Sequence, residues 1–224
     1  IVEYGAESGY DPYWGVINLN ASSPTISNCR ISDCSGDGIY LHYSEGEVSN
    51  NLIKDISSEG IKLNESTGTI TGNTLTDISL TGIYVQENSD NANISNNTIQ
   101  GGYDYGIYVE NSNSLTISQN QITDNSNSGI YLYQHCYYTS IDSNIITGNA
   151  NDGIKIYRYN NYTSIDSNTI TGNDDNGIKL SNYNNYSTIQ NNVISSNQGQ
   201  YGIGFENYDN NVTIENNTIT DNGY

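Results

Sequence analysis

Lysines, tyrosines and aspartates recur in this chain at a nearly fixed interval, and that interval bears on what chemistry they could do. Lys155 and Lys179 stand 24 residues apart, with Lys62 further back. Stacked in one column, like charges repel unless a carboxylate offsets them. Asp152 and Asp175, just upstream of the two lysines, are the candidates, and such a group would suit an acidic sugar. Tyr138, Tyr162 and Tyr186 repeat every 24 residues, and Tyr159, Tyr183 and Tyr208 every 24 or 25. With 21 Tyr against one Phe and one Trp, the aromatic content is of a surface kind. Ring columns of this sort can stack on sugars, form a protein interface, or stack on one another. Tyr40, Tyr84, Tyr108 and Tyr131 make a further outward column. Asp33, Asp55 and Asp77 repeat at 22 residues, and a column of carboxylates is a candidate Ca²⁺ site.

Other chemistries lack their residues. The two histidines, His42 and His135, are far apart, there is no Met, and His135-Cys136 alone offers too few soft ligands for copper. Cys29, Cys34 and Cys136 do not make a disulfide framework. An extended stretch between Cys29 and Cys34 would hold their Cα atoms roughly 17 Å apart, too far to bridge. Three free thiols are expected, two packed and one on the surface. Six basic residues against 25 acidic ones give a net charge of −19, which disfavours nucleic acid and anionic membranes. Cations, neutral sugars and other proteins fit that balance better. No apolar run has the length of a membrane-spanning helix. The start at Ile1 and eight N-x-S/T sequons suggest a processed or excised piece of an exported, extracellular or cell-surface glycoprotein.

The elements that must position these columns come from the repeat itself. With 34% hydrophobic residues and a mean hydropathy of −0.60, composition alone borders on disorder. Placement rescues it, because the few Ile, Leu and Val recur every 22 to 25 residues in two signatures. One is G-I-x-Φ, as at Gly60-Ile61 and Gly153-Ile154; the other is Φ-x-x-N-x-Φ, opening at Ile26, Val48, Ile70 and six later positions. Each alternates apolar with polar over a few residues and reads as a short strand stacking on its copy one turn later. The pattern predicts about nine coils of a parallel β-solenoid over residues 15–224, with residues 1–14 as an N-terminal cap or assembly segment. The Gly before each Ile suits a corner with positive φ or a close backbone approach. Asn51, Asn73, Asn97, Asn120, Asn144, Asn168, Asn192 and Asn217 form one column, predicted to be an internal amide ladder because an amide both donates and accepts. A second inward column runs from Cys34, Ile56 and Ile78 to Asn125, Asn149, Asn173, Asn197 and Asn222. Cys29 takes the first place in the ladder column.

The string S-N-N-T-I-T-G-N…D-G-I-x-L resembles the right-handed parallel β-helix repeats of the carbohydrate-binding and sugar-hydrolase type. Those repeats occur in pectate lyases, polygalacturonases, mannuronan epimerases, periplasmic copper-binding accessory proteins and many surface proteins. The resemblance covers residues 15–222 and implies an all-β, right-handed parallel β-helix. It does not carry one activity, because the motif consists of core and corner positions. Asp174-Asp175 before Asn176-Gly177 is similar to the polygalacturonase acidic pair, but that family's Gly-His-Gly and Arg-x-Lys elements are missing. Arg30 and Arg158 are about five coils apart, against what a pectate lyase requires. No catalytic residue is therefore assigned. The favoured expectation is a non-catalytic structural solenoid acting by adhesion or by assembly with copies of itself or neighbouring domains, head to tail in a filament. The alternative is a polysaccharide-binding or polysaccharide-cleaving β-helix. No cofactor is expected beyond Ca²⁺, and no membrane insertion.

Overall fold

The computed structural model describes residues 15–223. The expected cap over residues 1–14 lies outside them. Within the described residues every element is a strand, and the strands form three parallel sheets of nine, each strand pairing with its counterpart one coil away. The first sheet holds the G-I-x-Φ strands, from Gly15–Asn20 to Ile203–Glu206. The second runs from Thr25–Ser27 to Thr213–Glu215, and the third from Arg30–Cys34 to Thr218–Thr220. At about 4.8 Å per coil, the nine coils extend over roughly 40 Å.

Each coil has three strands where the sequence signatures suggest two. The second signature is broken in its middle by a residue in the left-handed region: Asn50, Gly72, Asn96, Gln119, Ser143, Ser167 and Asn191 all have positive φ. That residue turns the chain through a corner, and the ladder Asn follows it. A second left-handed corner, between the third and first sheets, is occupied by Asp33, Asp55, Asp77, Gly101, Asp124, Gly148 and Gly172 in succession. Asp and Asn tolerate this conformation better than other non-glycine residues. The column Asp33, Asp55, Asp77 is thus a corner position that Gly fills in other coils.

Glycines of the first signature are there for close approach. None has positive φ, but a Cβ on Gly153 would lie 2.7 Å from the Gly177 carbonyl and against Ile170 Cγ2. The coils meet too tightly there for a side chain. Inside, Ile, Leu and Val from all three sheets form one continuous core with almost no exposed surface between Ile31 and Ile194.

The amide ladder is present coil by coil. Asn144 Oδ1 accepts from Asn120 N at 2.9 Å and Nδ2 at 3.0 Å, while Asn144 Nδ2 donates to Ile117 O at 2.9 Å and Asn168 Oδ1 at 3.0 Å. Cys29 sits in the column as expected, its N–H donating to Asn51 Oδ1 at 2.9 Å. The second ladder runs in the same way from Asn125 to Asn222. A third inward column went unnoticed in the sequence: Ser44, Ser66, Ser89, Ser112, Cys136, Asn160, Asn184 and Asp209. The N–H of Ser44 donates to Ser66 Oγ at 3.0 Å, that of Cys136 to Asn160 Oδ1 at 2.8 Å, and that of Asn184 to Asp209 Oδ1 at 2.7 Å. All three corners of the solenoid are therefore closed by side-chain acceptors for otherwise orphaned backbone N–H groups. This column also corrects the expectation of a surface thiol: Cys136 is buried within it, Cys34 is buried and Cys29 is half-buried. All three are free, as expected.

Candidate functional site

The outward side of the first sheet carries the densest group of chemically capable side chains. Pairing register places Tyr40, Lys62, Tyr84, Tyr108, Tyr131, Lys155 and Lys179 in one column. The residues before the glycines, including Asp37, Glu59, Thr81, Tyr105 and Asp152, line its upstream side. That second column stays in step because each glycine N–H bonds the carbonyl of the next coil's pre-glycine residue, as Gly60 N does with Thr81 O at 3.1 Å and Gly82 N with Tyr105 O at 3.0 Å. Tyr40 and Tyr131 are covered, at 1% and 8% exposure, so this column is a packed aromatic layer rather than a freely exposed one.

Midway along this face lies a pocket of about 160 Å³ lined by Glu59, Thr81, Tyr84, Asp104, Tyr105 and Tyr108. Its rings meet at an angle: Tyr84 and Tyr108 are edge-on with centroids 5.0 Å apart, and Tyr105 is tilted 48° to Tyr108 at 5.3 Å. Glu110 anchors the layer, accepting from Tyr84 Oη and, at 3.4 Å, from Tyr108 Oη. Burial first, and then the Glu110 carboxylate, hold both phenols well above their ordinary range, so they are neutral hydrogen-bond donors. Burial also raises Asp104, against the opposing hydrogen bond from Asn127 Nδ2 at 3.1 Å, with Glu59 adding to the rise. Beside the pocket, burial pushes Asp37 up to about 6; Ser58 and Lys62 oppose the shift and Glu59 reinforces it. The Lys62 ammonium lies over the Tyr40 and Tyr84 rings, 5.8 and 5.3 Å from their centroids. One cation thus stands among Asp37, Glu59, Asp104 and Glu110. Tilted rings, neutral phenols and carboxyls around a small cavity are groups suited to a hydroxyl-rich, uncharged ligand.

Sequence reasoning placed the tyrosine column but missed Asp37, Glu59, Asp104, Tyr105 and Glu110. Reading the residue just before every Gly-Ile pair as a column of its own would have found Glu59 and Tyr105.

Lys155 and Lys179 follow on the same face, and both are already matched. Lys155 Nζ lies 4.0 Å from Asp152 Oδ2 and over the Tyr131 ring at 5.4 Å. Lys179 Nζ pairs with Glu206 Oε1 at 3.1 Å rather than with Asp175, whose Oδ1 accepts from Asn176 Nδ2 at 2.9 Å. Asp152 is buried and its acidity is weakened chiefly by that burial. Asp174 is exposed and accepts from Gln198 Nε2 at 2.9 Å.

The loop tyrosines lie elsewhere, on the outside of the corner between the first and second sheets. Tyr138, Tyr162 and Tyr186 stack with centroids 4.9 and 5.2 Å apart. His135, Tyr159, Tyr183 and Tyr208 stack beside them at 5.7, 5.4 and 5.3 Å. Interplanar angles of 7° to 13° mean that ring faces are turned to one another along each ladder. Asp33, Asp55 and Asp77 are exposed at their corner, with Asp55 paired to Lys54. Among the described residues, no three His, Cys, Asp or Glu side chains gather in a way that could hold a metal ion. A wider depression of about 380 Å³ over the corner at Asn96, Gln119, Gln121 and Ser143 is lined by neutral polar groups and Ile145.

Three stacked parallel sheets with internal side-chain ladders define a parallel β-helix. The chain belongs to the family described as "Right handed beta helix region", whose model matches residues 10–97 and 81–224. Among curated proteins none matches the sequence. Among solved structures, the fold is similar to that of a mutant of the periplasmic alginate epimerase AlgG, with a TM-score of 0.79 at 17% identity over 91% of this chain and 61% of that one. It is also similar to the A-module of the mannuronan C-5 epimerase AlgE6 of Azotobacter vinelandii, with a TM-score of 0.61 at 13% identity over 90% of this chain and 76% of that one. A third is the catalytic unit of a thermostable alpha-1,3-glucanase of Streptomyces thermodiastaticus, with a TM-score of 0.63 at 14% identity over 89% of this chain and 50% of that one. The chain thus spans less than two thirds of the AlgG and glucanase chains. At these identities the likeness is one of fold.

Proposed function

We propose that this protein binds a neutral polysaccharide along the outward face of its first sheet, centred on the pocket between Tyr84, Tyr105 and Tyr108. The observation that carries the reading is that pocket: tilted aromatic rings and carboxyls converge there on a cavity with room for part of a sugar. The fold supports it, since the similar solved structures include alginate epimerases and a glucanase. Electrostatics select the ligand. An anionic chain would meet Glu59, Asp104 and Glu110 on a protein of net charge −19, whereas a neutral glycan offers hydroxyls that bond both carboxylates and phenols. The acidic-sugar site expected at Lys155 and Lys179 is disfavoured for a related reason, because Asp152 and Glu206 stand against those cations. We place the protein outside the cytoplasm or on the cell surface, in keeping with the periplasmic epimerase of similar fold.

Affinity electrophoresis through gels containing neutral or anionic polysaccharides tests the reading. Retardation by at least one neutral polymer, lost in Tyr108→Ala, is expected; retardation by anionic polymers alone would overturn it. New reducing ends in the same incubations would show that cleavage accompanies binding.

A further inference from the structure

The two ladders of loop tyrosines are built for a reaction that the sugar-binding face is not. Tyr159 and Tyr162, and likewise Tyr183 and Tyr186, flank a pair of asparagines, and all four tyrosines have positive φ between 55° and 68°. Between them Asn160 and Asn184 are buried in the third corner column, bonded to each other at 3.0 Å. Each turn is thereby pinned from inside while its two rings are held outside, one coil apart. The rings of Tyr138, Tyr159, Tyr162, Tyr183, Tyr186 and Tyr208 are 39% to 69% exposed, so a diffusing oxidant reaches them. Their faces are parallel within 13° and their centroids 4.9 to 5.4 Å apart.

We propose that these ladders are an oxidative cross-linking site, at which adjacent tyrosines join as dityrosine and staple one coil to the next. The oxidant is hydrogen peroxide used by a haem peroxidase. Each of two neighbouring phenols gives up one hydrogen atom from oxygen, leaving a phenoxyl radical with spin on the carbons ortho to oxygen. Coupling occurs through the ring faces: one ortho carbon of each ring contributes its unpaired electron to a new C–C bond. Both ortho hydrogens then return to the oxygens and the rings regain aromaticity. One peroxide takes the two hydrogen atoms and becomes two waters, so the pair loses two hydrogens in all. Face-to-face rings present the lobes that must overlap. The edge-on pairs Tyr84–Tyr108 and Tyr108–Tyr131, at 83°, do not.

The test treats dilute protein with peroxidase and peroxide and maps dityrosine by peptide mass spectrometry. Cross-links within one chain are expected at Tyr138–Tyr162, Tyr162–Tyr186, Tyr159–Tyr183 and Tyr183–Tyr208, each with the mass of two hydrogens lost. Two double variants separate stacking from phenol number. Tyr162→Phe with Tyr183→Phe keeps the rings but leaves no two ladder phenols adjacent, and all four cross-links should vanish. Tyr138→Phe with Tyr208→Phe removes the same number of phenols but keeps two adjacent pairs, and about half the ladder cross-linking should survive. Equal yields from the two variants, or cross-links mainly between molecules or at the edge-on pairs, would overturn the proposal.

Discussion

Replacing Asn144 by Ala removes one rung of the first ladder at the junction of the fifth and sixth coils. One group loses its partner, Asn120 N–H, which donates to Asn144 Oδ1 at 2.9 Å, while Ile117 C=O gives up Asn144 Nδ2 at 2.9 Å but stays within the strand pairing to the next coil. Asn120 Nδ2 keeps Ile94 O, and Asn168 Oδ1 keeps the N–H of residue 144, so those amides are weakened rather than orphaned. Leaving a buried donor unmet costs about 1–3 kcal/mol, so the variant should lose roughly 2 kcal/mol. In a repeat architecture that loss falls on the coupling between neighbouring coils, and the urea transition should broaden as well as shift. Asn144→Asp is the diagnostic companion. It keeps the acceptor for Asn120 but puts a carboxyl where 1% of the residue is exposed, so burial raises its folded pKa above the unfolded value. A raised carboxyl favours the folded state when protonated. The Asp variant should therefore gain stability as pH falls through its folded pKa toward about 4, while the Ala variant, with nothing to titrate, follows the parent. Urea unfolding at pH 7 and pH 5, with exposed Gln121→Ala as control, measures both. A loss below about 1 kcal/mol for Asn144→Ala, no larger than that of the control, would refute the reasoning that the ladder holds the coils together.

Three further outcomes follow from single sites. Asp37, buried and raised from the ordinary 3.8 to about 6, favours the folded state only while protonated, so its contribution declines as pH rises from about 4 to 6 and is gone above that. Asp37→Asn keeps an acceptor for Glu59 N–H and should stabilise the protein at pH 7 by about 1–3 kcal/mol, flattening the thermal-melt profile between pH 4 and 6.5. Gly153→Ala should lower stability by about 3 kcal/mol or more, since its methyl meets the Gly177 carbonyl and Ile170. Gly101→Ala meets nothing within 4 Å and should cost only the roughly 1–2 kcal/mol of its left-handed φ of 70°; equal losses in chemical denaturation would refute the packing argument. Burial pushes the Cys136 thiol up to about 12, so a disulfide reagent should label half-buried Cys29 first and Cys136 only on unfolding.

The fold was legible because its causes are periodic. Asn144 and its column repeat at a fixed place after an apolar residue, and a side chain that both donates and accepts has an evident use when stacked on its copies. The third corner was harder to see because Ser66, Asn160, Asn184 and Asp209 differ in name while doing one job, accepting from the previous coil's N–H. The third strand of each coil was hidden for a related reason: the left-handed corner residue is Asn50 in one coil, Gly72 in the next and Ser143 in another. The candidate site was legible only in part. Tyr84 and Tyr108 lie in a repeating column, whereas Asp104 and Glu110 occur in a single coil, and a group that does not repeat leaves no trace in a pattern of repeats. Which lysine pairs with which acid was also beyond reach, since Glu206 meets Lys179 from the following coil, across 27 residues of sequence.

The central claim is that the tilted tyrosines of the first sheet, and not the stacked loop tyrosines, receive the sugar. Isothermal titration of a neutral oligosaccharide, chosen from the polymer that retards the protein, tests it with Tyr108→Ala and Tyr162→Ala side by side. Loss of one stacking ring should weaken binding by about 1–2 kcal/mol, or roughly tenfold, in Tyr108→Ala. Tyr162→Ala should bind as the parent does. Unchanged affinity in Tyr108→Ala together with a tenfold loss in Tyr162→Ala would place the ligand on the loop ladders and contradict the assignment of the site.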